Sequence, residues 1–133
     1  MGTRKFKLTE ETTTIVRNGA EITLHRIQAV RDFWCIKAGE RGGYVESEAN
    51  LSQEGDCWIY GNAKVYGNAK VCGNAWIYGN AKVCGNAKVY GNAKVCGNAL
   101  VYDNAEVFGN AWVFGSAVVY RMDKICGDSV RCV

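Results

Sequence analysis

The chain has 133 residues, of which 48% are hydrophobic and 22% are charged, and its formal net charge is +3. These values are typical of one soluble globular domain, and the charge is too small to indicate nucleic-acid binding by itself. No apolar run reaches the ~20 residues of a membrane span, and residues 1–7 lack the apolar stretch of a signal peptide. We therefore expect a cytoplasmic protein that does not enter a membrane.

The segment 1–56 differs in composition from the rest, since it holds all six threonines and the single histidine, His25. Residues 13–16 and 21–27 are separated by Arg17-Asn18-Gly19-Ala20. An Asn-Gly pair between two strand-like runs predicts a β-hairpin. Residues 39–43, which contain three glycines, predict a second turn.

From residue 57 onward the chain repeats a six-residue unit, most regularly as YGNAKVYGNAKV at residues 60–71. A β-branched residue recurs at every sixth position from Ile59 to Ile125, and an alanine stands two positions before it from Ala63 to Ala117. A helix of 3.6 residues per turn would spread these residues around its axis, so the period excludes an amphipathic helix. Short strands broken by Gly-Asn turns fit the period, with the alanine and the β-branched residue pointing inward.

The start of this repeat is degenerate. Counting back from Ala63 in steps of six gives Cys57, Leu51 and Val45. The count places these three residues in alanine slots and predicts that a first, irregular coil begins near Tyr44.

Three short strands that close a triangle make a coil of three repeat units, and stacked coils bury one continuous core. Over residues 57–130 the chain resembles the hexapeptide-repeat, left-handed parallel β-helix proteins. We therefore expect an all-β fold, a left-handed parallel β-helix of about four to five triangular coils with an N-terminal β-hairpin cap. Residues 1–56 would form the cap and the degenerate first coil, and residues 57–133 the β-helix. The cap would cover an open coil edge, which otherwise invites pairing with another chain.

Six of the seven cysteines occupy packing positions of the repeat, namely Cys57, Cys72, Cys84, Cys96, Cys126 and Cys132. Neighbouring strands of one face are separated by three repeat units, and no two of these cysteines have that separation. None would then come within the ~6 Å that a disulfide requires between Cα atoms. With one histidine and no CxxC pair, we expect reduced thiols, no metal site and no cofactor.

The resemblance also implies a chemistry to test against the sequence. Hexapeptide acyltransferases carry a histidine base near the coils, often beside an inserted loop, and bind acyl-CoA or acyl-carrier protein between the subunits of a trimer. Residues 57–121 hold no histidine and no inserted loop, and His25 is expected to be a cap residue. The related carbonic anhydrases need three histidine ligands for zinc. We therefore expect no enzymatic activity and keep an acyltransferase that uses acyl-CoA as an alternative.

The residue before each β-branched position should point outward and can vary without disturbing the core. Sorted by coil, the first face carries Trp58, Trp76, Lys94 and Trp112, the second Lys64, Lys82, Leu100 and Val118, and the third Lys70, Lys88, Glu106 and Lys124. With the residues that follow, the first face predicts a partner-binding flank of Trp58, Tyr60, Trp76, Tyr78, Trp112 and Phe114. Six aromatic side chains exceed the ~300–600 Å² of an ordinary apolar patch, although duplication of a coil-length unit would also repeat them.

The lysines of the other two faces suggest a second alternative. Lys64 and Lys82, and likewise Lys70 and Lys88, would stack in ladders that suit nucleic acid or another polyanion. Exposed lysines also keep a β-surface from pairing with other chains, which needs no ligand.

Residues 42–63, GGYVESEANLSQEGDCWIYGNA, look like the lead-in of small hexapeptide-repeat proteins of phages and prophages. Proteins of that group are often called acyltransferases or polymer-forming proteins by similarity. The expected function is a non-enzymatic interaction scaffold, encoded by a phage or prophage. Through its aromatic flank it would form a homo-oligomer or bind a host protein, for example to inhibit a host defence system.

Overall fold

The computed structural model describes residues 4–126 and the backbone of residues 130–132. A hairpin of β1 (Phe6–Arg17) and β2 (Ala20–Ala29) is followed by β3 (Arg41–Val45) and a short 3-10 helix, Glu48–Asn50. Twelve short strands follow: β4 Trp58–Ile59, β5 Lys64–Val65, β6 Lys70–Val71, β7 Trp76–Ile77, β8 Lys82–Val83, β9 Lys88–Val89, β10 Lys94–Val95, β11 Leu100–Val101, β12 Glu106–Val107, β13 Trp112–Phe114, β14 Val118–Val119 and β15 Lys124–Ile125. Strand β16 (Val130–Cys132) closes the order. Within the described residues, no helix has the length and apolarity needed to cross a membrane.

Every third strand belongs to the same parallel sheet, so the chain winds through three faces. The first face is β4-β7-β10-β13-β16, the third is β6-β9-β12-β15, and the second is β5-β8-β11-β14 continued by β3, β2 and β1. Partners within a face are separated by three repeat units, as Ile59 and Ile77 are. This confirms the predicted left-handed parallel β-helix with an N-terminal hairpin.

The inward positions of the repeat form the core. The β-branched residues at every sixth position from Ile59 to Ile125 are at most 7% exposed, and every alanine from Ala63 to Ala117 is at most 1% exposed. Each valine of this kind contributes about 1.5–3 kcal/mol when it is removed from water. One hydrophobic cluster runs from Phe6 in the cap to Ile125 in the last coil, so the cap and the coils share a core.

The corners are tight because backbones of successive coils stack directly on one another. Gly91 has a φ of +69°, and a Cβ atom on it would lie 2.9 Å from the backbone nitrogen of Gly109 in the next coil. Glycine adopts this left-handed conformation without the steric penalty of other residues. The Gly-Asn turn therefore permits both the left-handed backbone and the close stacking.

We expect Gly91→Ala to lower the free energy of unfolding by about 1–3 kcal/mol, because it adds a steric clash to a left-handed backbone. Thermal melting followed by circular dichroism would measure the loss. Gly61→Ala is the matched control, since Gly61 has a φ of +59° but its Cβ would meet nothing closer than 3.8 Å. Equal losses for both variants would contradict the close approach of the coils.

The first coil is offset by two residues from the sequence-based count. Val45 lies opposite Val65 and Leu51 opposite Val71, and the chain between the partners of each pair is two residues longer than between Ile59 and Ile77. Val45 and Leu51 therefore fill β-branched slots, and the prediction that they fill alanine slots was wrong. Residues 52–56 cause the shift, because the turn they form is two residues longer than a repeat corner.

The hairpin is longer than predicted, and its turn is confirmed. Asn18 and Gly19 have φ values of 53° and 78°, as a two-residue hairpin of the mirror-image type requires. The predicted second turn at residues 39–43 ends earlier, because Arg41–Val45 is a strand between β2 and β5. The hairpin also packs against the side chains of the second face. Leu24 of β2 is buried there with Tyr66 and Cys84.

A buried lysine completes the cap. Lys5 is 0% exposed, and its Nζ lies 2.8 Å from the carbonyl oxygen of Cys57 and 3.3 Å from that of Gly55. In the upper coils, such carbonyls accept hydrogen bonds from the coil below, as Gly109 does from Asn92. The first coil has no coil beneath it. Lys5 therefore supplies the donors that a missing coil would have provided.

Candidate functional site

Trp58 is not part of an exposed surface, which corrects the prediction of an outward, partner-binding side chain. It is 0% exposed and lies between Phe6 and Phe33, with ring centroids 6.4 Å and 5.3 Å away. The face assignment was right, since Trp58 pairs in register with Trp76. The cap folds over this coil, and the repeat pattern gave no sign of that.

The loop between β2 and β3, which contains Phe33, also presents a tryptophan that the repeat pattern did not predict. Phe33 and Ile36 exchange two backbone hydrogen bonds of 3.0 and 2.8 Å, which leaves Trp34 and Cys35 at the tip of a two-residue turn. Phe33 and Ile36 are buried, whereas Trp34 is 54% exposed. Trp34 has a φ of 47°, a left-handed conformation that costs a bulky residue about 1–3 kcal/mol.

Trp34 packs on the first face and creates an apolar concavity there. Its ring centroid lies 4.4 Å from that of Trp76. The concavity has a volume of about 450 Å³, and its lining residues are Trp34, Cys35, Tyr60, Trp76 and Tyr78. We call these five residues the aromatic surface. Three of them were predicted, and Trp34 and Cys35 were missed because they lie outside the repeat.

The two phenols of the aromatic surface stay neutral at physiological pH. Burial, with a smaller contribution from Cys35, raises the pKa of Tyr60. Burial and a hydrogen bond with Cys96 raise the pKa of Tyr78 to about 12. The middle of the surface is therefore uncharged, and its composition suits the buried centre of a protein interface.

Charges of opposite sign border the aromatic surface. Trp34 and Trp76 also line a second concavity, which has a volume of about 300 Å³. Its other lining residues are Asp56, Asn74, Asn92 and Lys94. The Nζ of Lys94 lies 5.0 Å from the ring centroid of Trp76. Among the ion pairs within the described residues, none involves Asp56 or Lys94. Both side chains are half-buried, and each interacts within the chain, Asp56 with the charge of Lys5 and Lys94 with the ring of Trp76.

The upper part of the predicted flank, Trp112 and Phe114, does not line the aromatic concavity but is linked to Tyr78 through Cys96. Trp112 is 43% exposed and Phe114 is half-buried, with 5.0 Å between their ring centroids. The Nε1 of Trp112 donates a hydrogen bond to the Sγ of Cys96 at 3.3 Å. Lys94 stands between Trp76 and Trp112 on the first face, so the column of tryptophans is interrupted at the third coil.

The lysine ladders predicted from the sequence are short. Lys64 lies beside Lys82 and Lys70 beside Lys88, as expected from the period. Burial, followed by the charges of Lys82 and Arg26, lowers the pKa of Lys64. The next residues of the two columns are Leu100 and Glu106, which end each ladder after two lysines. Binding of a polyanion there stays a prediction.

His25 lies on β2, away from the aromatic surface. It is half-buried, and its Nδ1 is 3.3 Å from the carbonyl oxygen of Thr9. The described cysteines, Cys35, Cys57, Cys72, Cys84, Cys96 and Cys126, are free thiols. The side chain of Cys132 lies outside the described residues. In the part of the chain that the structure describes, no three His, Cys, Asp or Glu side chains are grouped as a metal site requires.

No known family model matches the chain. A protein of Escherichia coli (strain K12) named "Uncharacterized acetyltransferase YdcK" is 39% identical over 61 residues. The match covers 43% of this chain and 19% of that protein, so the chain spans about a fifth of the relative's length. The similarity and the stacked coils together fit a hexapeptide-repeat β-helix. The phage or prophage origin stays a prediction.

The expectation that the protein lacks enzymatic activity is contradicted by this comparison, because a relative is named as an acetyltransferase. That expectation rested on the absence of histidine from residues 57–121. That absence was an insufficient criterion, because Glu, Asp, Lys, Tyr and Cys side chains also act as general acids and bases.

Proposed function

We propose that this protein is a β-helix scaffold that binds another protein chain through the aromatic surface. The observation that carries the proposal is Trp34, which is 54% exposed in a strained turn at the rim of an apolar concavity. A strained backbone is found where surrounding interactions or a functional contact compensate for it. A contact with a second chain would bury the exposed ring and offset its cost.

The scaffold suits such a role because it holds the aromatic side chains in fixed positions. Trp76 lies on a strand paired on both sides, with Trp58 below and Lys94 above. Tyr60 contacts both Trp76 and Tyr78 edge to face, with centroid distances of 6.5 and 6.3 Å. Rigid aromatic side chains lose little conformational entropy on binding, and tryptophan and tyrosine are enriched at the energetic centres of interfaces.

Two kinds of partner agree with the sequence. A second copy of the chain would form a homo-oligomer through identical surfaces. A host protein, in a defence system or elsewhere, would follow from the similarity of residues 42–63 to phage proteins. The proposal of a contact surface is the same for both.

Photo-crosslinking tests the contact without knowledge of the partner. A photoreactive benzoylphenylalanine at position 34 is expected to give a discrete adduct of higher mass in cells that naturally produce the protein. The control carries the same group at position 82, an exposed site on the second face. An absence of adducts from position 34, or equal adducts from both positions, would overturn the proposal.

Acetyl transfer is the second candidate, and the name of the E. coli relative is the observation that favours it. His25 is the histidine that could act as a base. Chromatography would follow CoA release from acetyl-CoA in the presence of candidate acceptors. The candidate function predicts saturable release that falls in His25→Ala, and release no faster than in buffer would remove it.

A further inference from the structure

The longest strand of the cap, β1, has an edge that no described strand covers. It is the terminal strand of the seven-stranded sheet, where β2 is its one described neighbour. The first part of β1 is irregular, because its register with β2 shifts between Leu8 and Thr12. In that part the side chain of Gln53 accepts a hydrogen bond from the backbone nitrogen of Phe6. Residues 12–17 pair regularly with β2, so they form a straight, uncovered edge.

Backbone groups along residues 12–17 point alternately toward β2 and toward the uncovered edge. The two-residue turn makes Arg17 and Ala20 a hydrogen-bonded pair. Further along β2, the carbonyl oxygen of Arg26 accepts a hydrogen bond from the side chain of Thr9, so it points toward β1 as well. Both observations give the same alternation. The N–H and C=O groups that point to the uncovered edge belong to Thr12, Thr14 and Val16.

The composition of this edge favours pairing with another strand. Natural edge strands avoid such pairing with charged side chains, proline or bulges. Residues 12–16 read TTTIV, which contains none of these and consists of β-branched residues. The side chain of Val16 is 72% exposed. Charges stand at the two ends of the segment, with Glu10 and Glu11 before it and Arg17 after it.

We infer that β1 pairs antiparallel with β1 of a second copy of this chain, about a two-fold axis that is normal to the sheet and lies midway between the two strands. Because the hydrogen-bonding direction alternates, residues that face each other differ by an even number of positions. The axis therefore passes beside a residue, and we place it beside Thr14. Thr14 then faces the partner's Thr14, and Thr12 faces the partner's Val16.

Charge selects both this axis and a second copy as the occupant. A strand with an acidic start and a basic end complements its own antiparallel copy, as an isologous interface requires. The axis beside Thr14 places Glu11 opposite the partner's Arg17. Glu11 bonds Arg26 on the coil side of the hairpin, and Arg17 lies over Tyr66 of the second face, so both are on the same face of β1.

Neighbouring axes lack this complementarity. An axis beside Thr13 would place Glu11 against the partner's Ile15, and one beside Ile15 would place Arg17 against the partner's Thr13. Opposite charges and pairs of threonines that face each other across antiparallel strands stabilise a sheet. The axis beside Thr14 provides both kinds of pair, so it fixes the register.

The position of β1 leaves room for the second copy. The sheet continues from β1 through β2 and β3 to the strands of the second face, so the coils lie beyond β2 and away from the uncovered edge. Pairing would join two such sheets end to end. The aromatic surface includes side chains of the first face and takes no part. This interface therefore goes beyond the proposed function and is independent of it.

Proline at position 14 tests the pairing. Wild-type protein is expected at about twice 14.6 kDa in light scattering. Thr14→Pro removes an N–H group that points to the partner and none that β2 uses, so the chain should stay folded at 14.6 kDa. Thr23→Pro is the matched control. Thr23 lies opposite Thr14 on β2, is exposed, and directs its N–H away from β1, so this variant should remain a dimer.

Charges at position 14 test the register, because the residue beside the axis faces its own copy. Thr14→Asp and Thr14→Lys, each alone, place like charges opposite each other and should weaken the dimer about twofold to tenfold at low salt. An equimolar mixture should recover at least the wild-type affinity as a heterodimer. Thr23→Asp is the control and should leave the affinity unchanged. Circular dichroism checks folding, and the charge variants decide if Thr14→Pro unfolds.

Three results would overturn the inference. They are a wild-type mass of 14.6 kDa at every concentration, a folded Thr14→Pro variant that remains a dimer, and a mixture of the charge variants without recovery. The first would leave the edge of β1 to a strand of a different protein. Crosslinking from position 34 tests the proposed function separately, since residue 34 lies outside β1.

Discussion

Val89→Asp is expected to leave no folded protein. Val89 is 0% exposed on the third face, between Val71 and Val107 of the neighbouring coils. Its surroundings are valine and alanine side chains, which offer no partner to a carboxylate. An unpaired polar or charged group in such a place costs several kcal/mol, against a total stability of about 5–15 kcal/mol for a protein of this size. Far-ultraviolet circular dichroism should show the loss of the β-sheet signal.

Lys88→Asp is the matched control, since Lys88 precedes Val89 on the same strand and its side chain is exposed. It introduces the same carboxylate without burying it, so a change within about 0.5 kcal/mol is expected. A folded Val89→Asp variant with a melting temperature close to that of Lys88→Asp would show that the inward and outward assignments are wrong.

Lys5→Met is expected to destabilise the protein by about 2–6 kcal/mol, since a buried polar group without a partner costs about 1–3 kcal/mol and two such groups result. Methionine fills a similar volume but donates no hydrogen bond, so the carbonyl oxygens of Gly55 and Cys57 lose their Lys5 donor. Urea unfolding measures the change. A Lys5→Met variant with the midpoint of the wild type would contradict the role assigned to the buried ammonium group.

The pH dependence gives this prediction a second readout. Burial lowers the pKa of Lys5 from its ordinary value of 10.5. Between the lowered pKa and 10.5 the unfolded chain binds more protons than the folded chain, so this residue's contribution to stability rises with pH there. Below that window its contribution does not change with pH. The stability difference between wild type and Lys5→Met should therefore grow as the pH rises through the window.

The six-residue period was sufficient to predict the faces and the core. Each unit is the same length, so a residue's number alone determines its coil, its face and its inward or outward direction. Val89, Ala75 and Lys88 lie where that rule places them. The rule is reliable because any slip of one residue would bury a lysine in place of a valine.

The cap could not be predicted in the same way, because residues 4–43 follow no period. Their positions depend on long-range contacts, such as Phe33 with Trp58 and Lys5 with Cys57. Trp58 and Trp76 occupy equivalent slots in the sequence pattern, yet one is buried by the cap and the other borders a concavity. The adjacent aromatic residues Phe33 and Trp34 were the available signal, and the direction of each ring required the structure.

The mass of Trp34→Gly in solution tests the central claim most directly. Glycine adopts the left-handed backbone of residue 34 without penalty, which should compensate for the lost contact with Trp76 and keep the melting temperature near that of the wild type. If the partner is a second copy of the chain, Trp34→Gly should remain a monomer of 14.6 kDa under conditions where the wild type has a multiple of that mass, both carrying Thr14→Pro so that β1 cannot pair. Equal masses above 14.6 kDa for wild type and Trp34→Gly would contradict the assignment of the aromatic surface as the interface between copies of this chain.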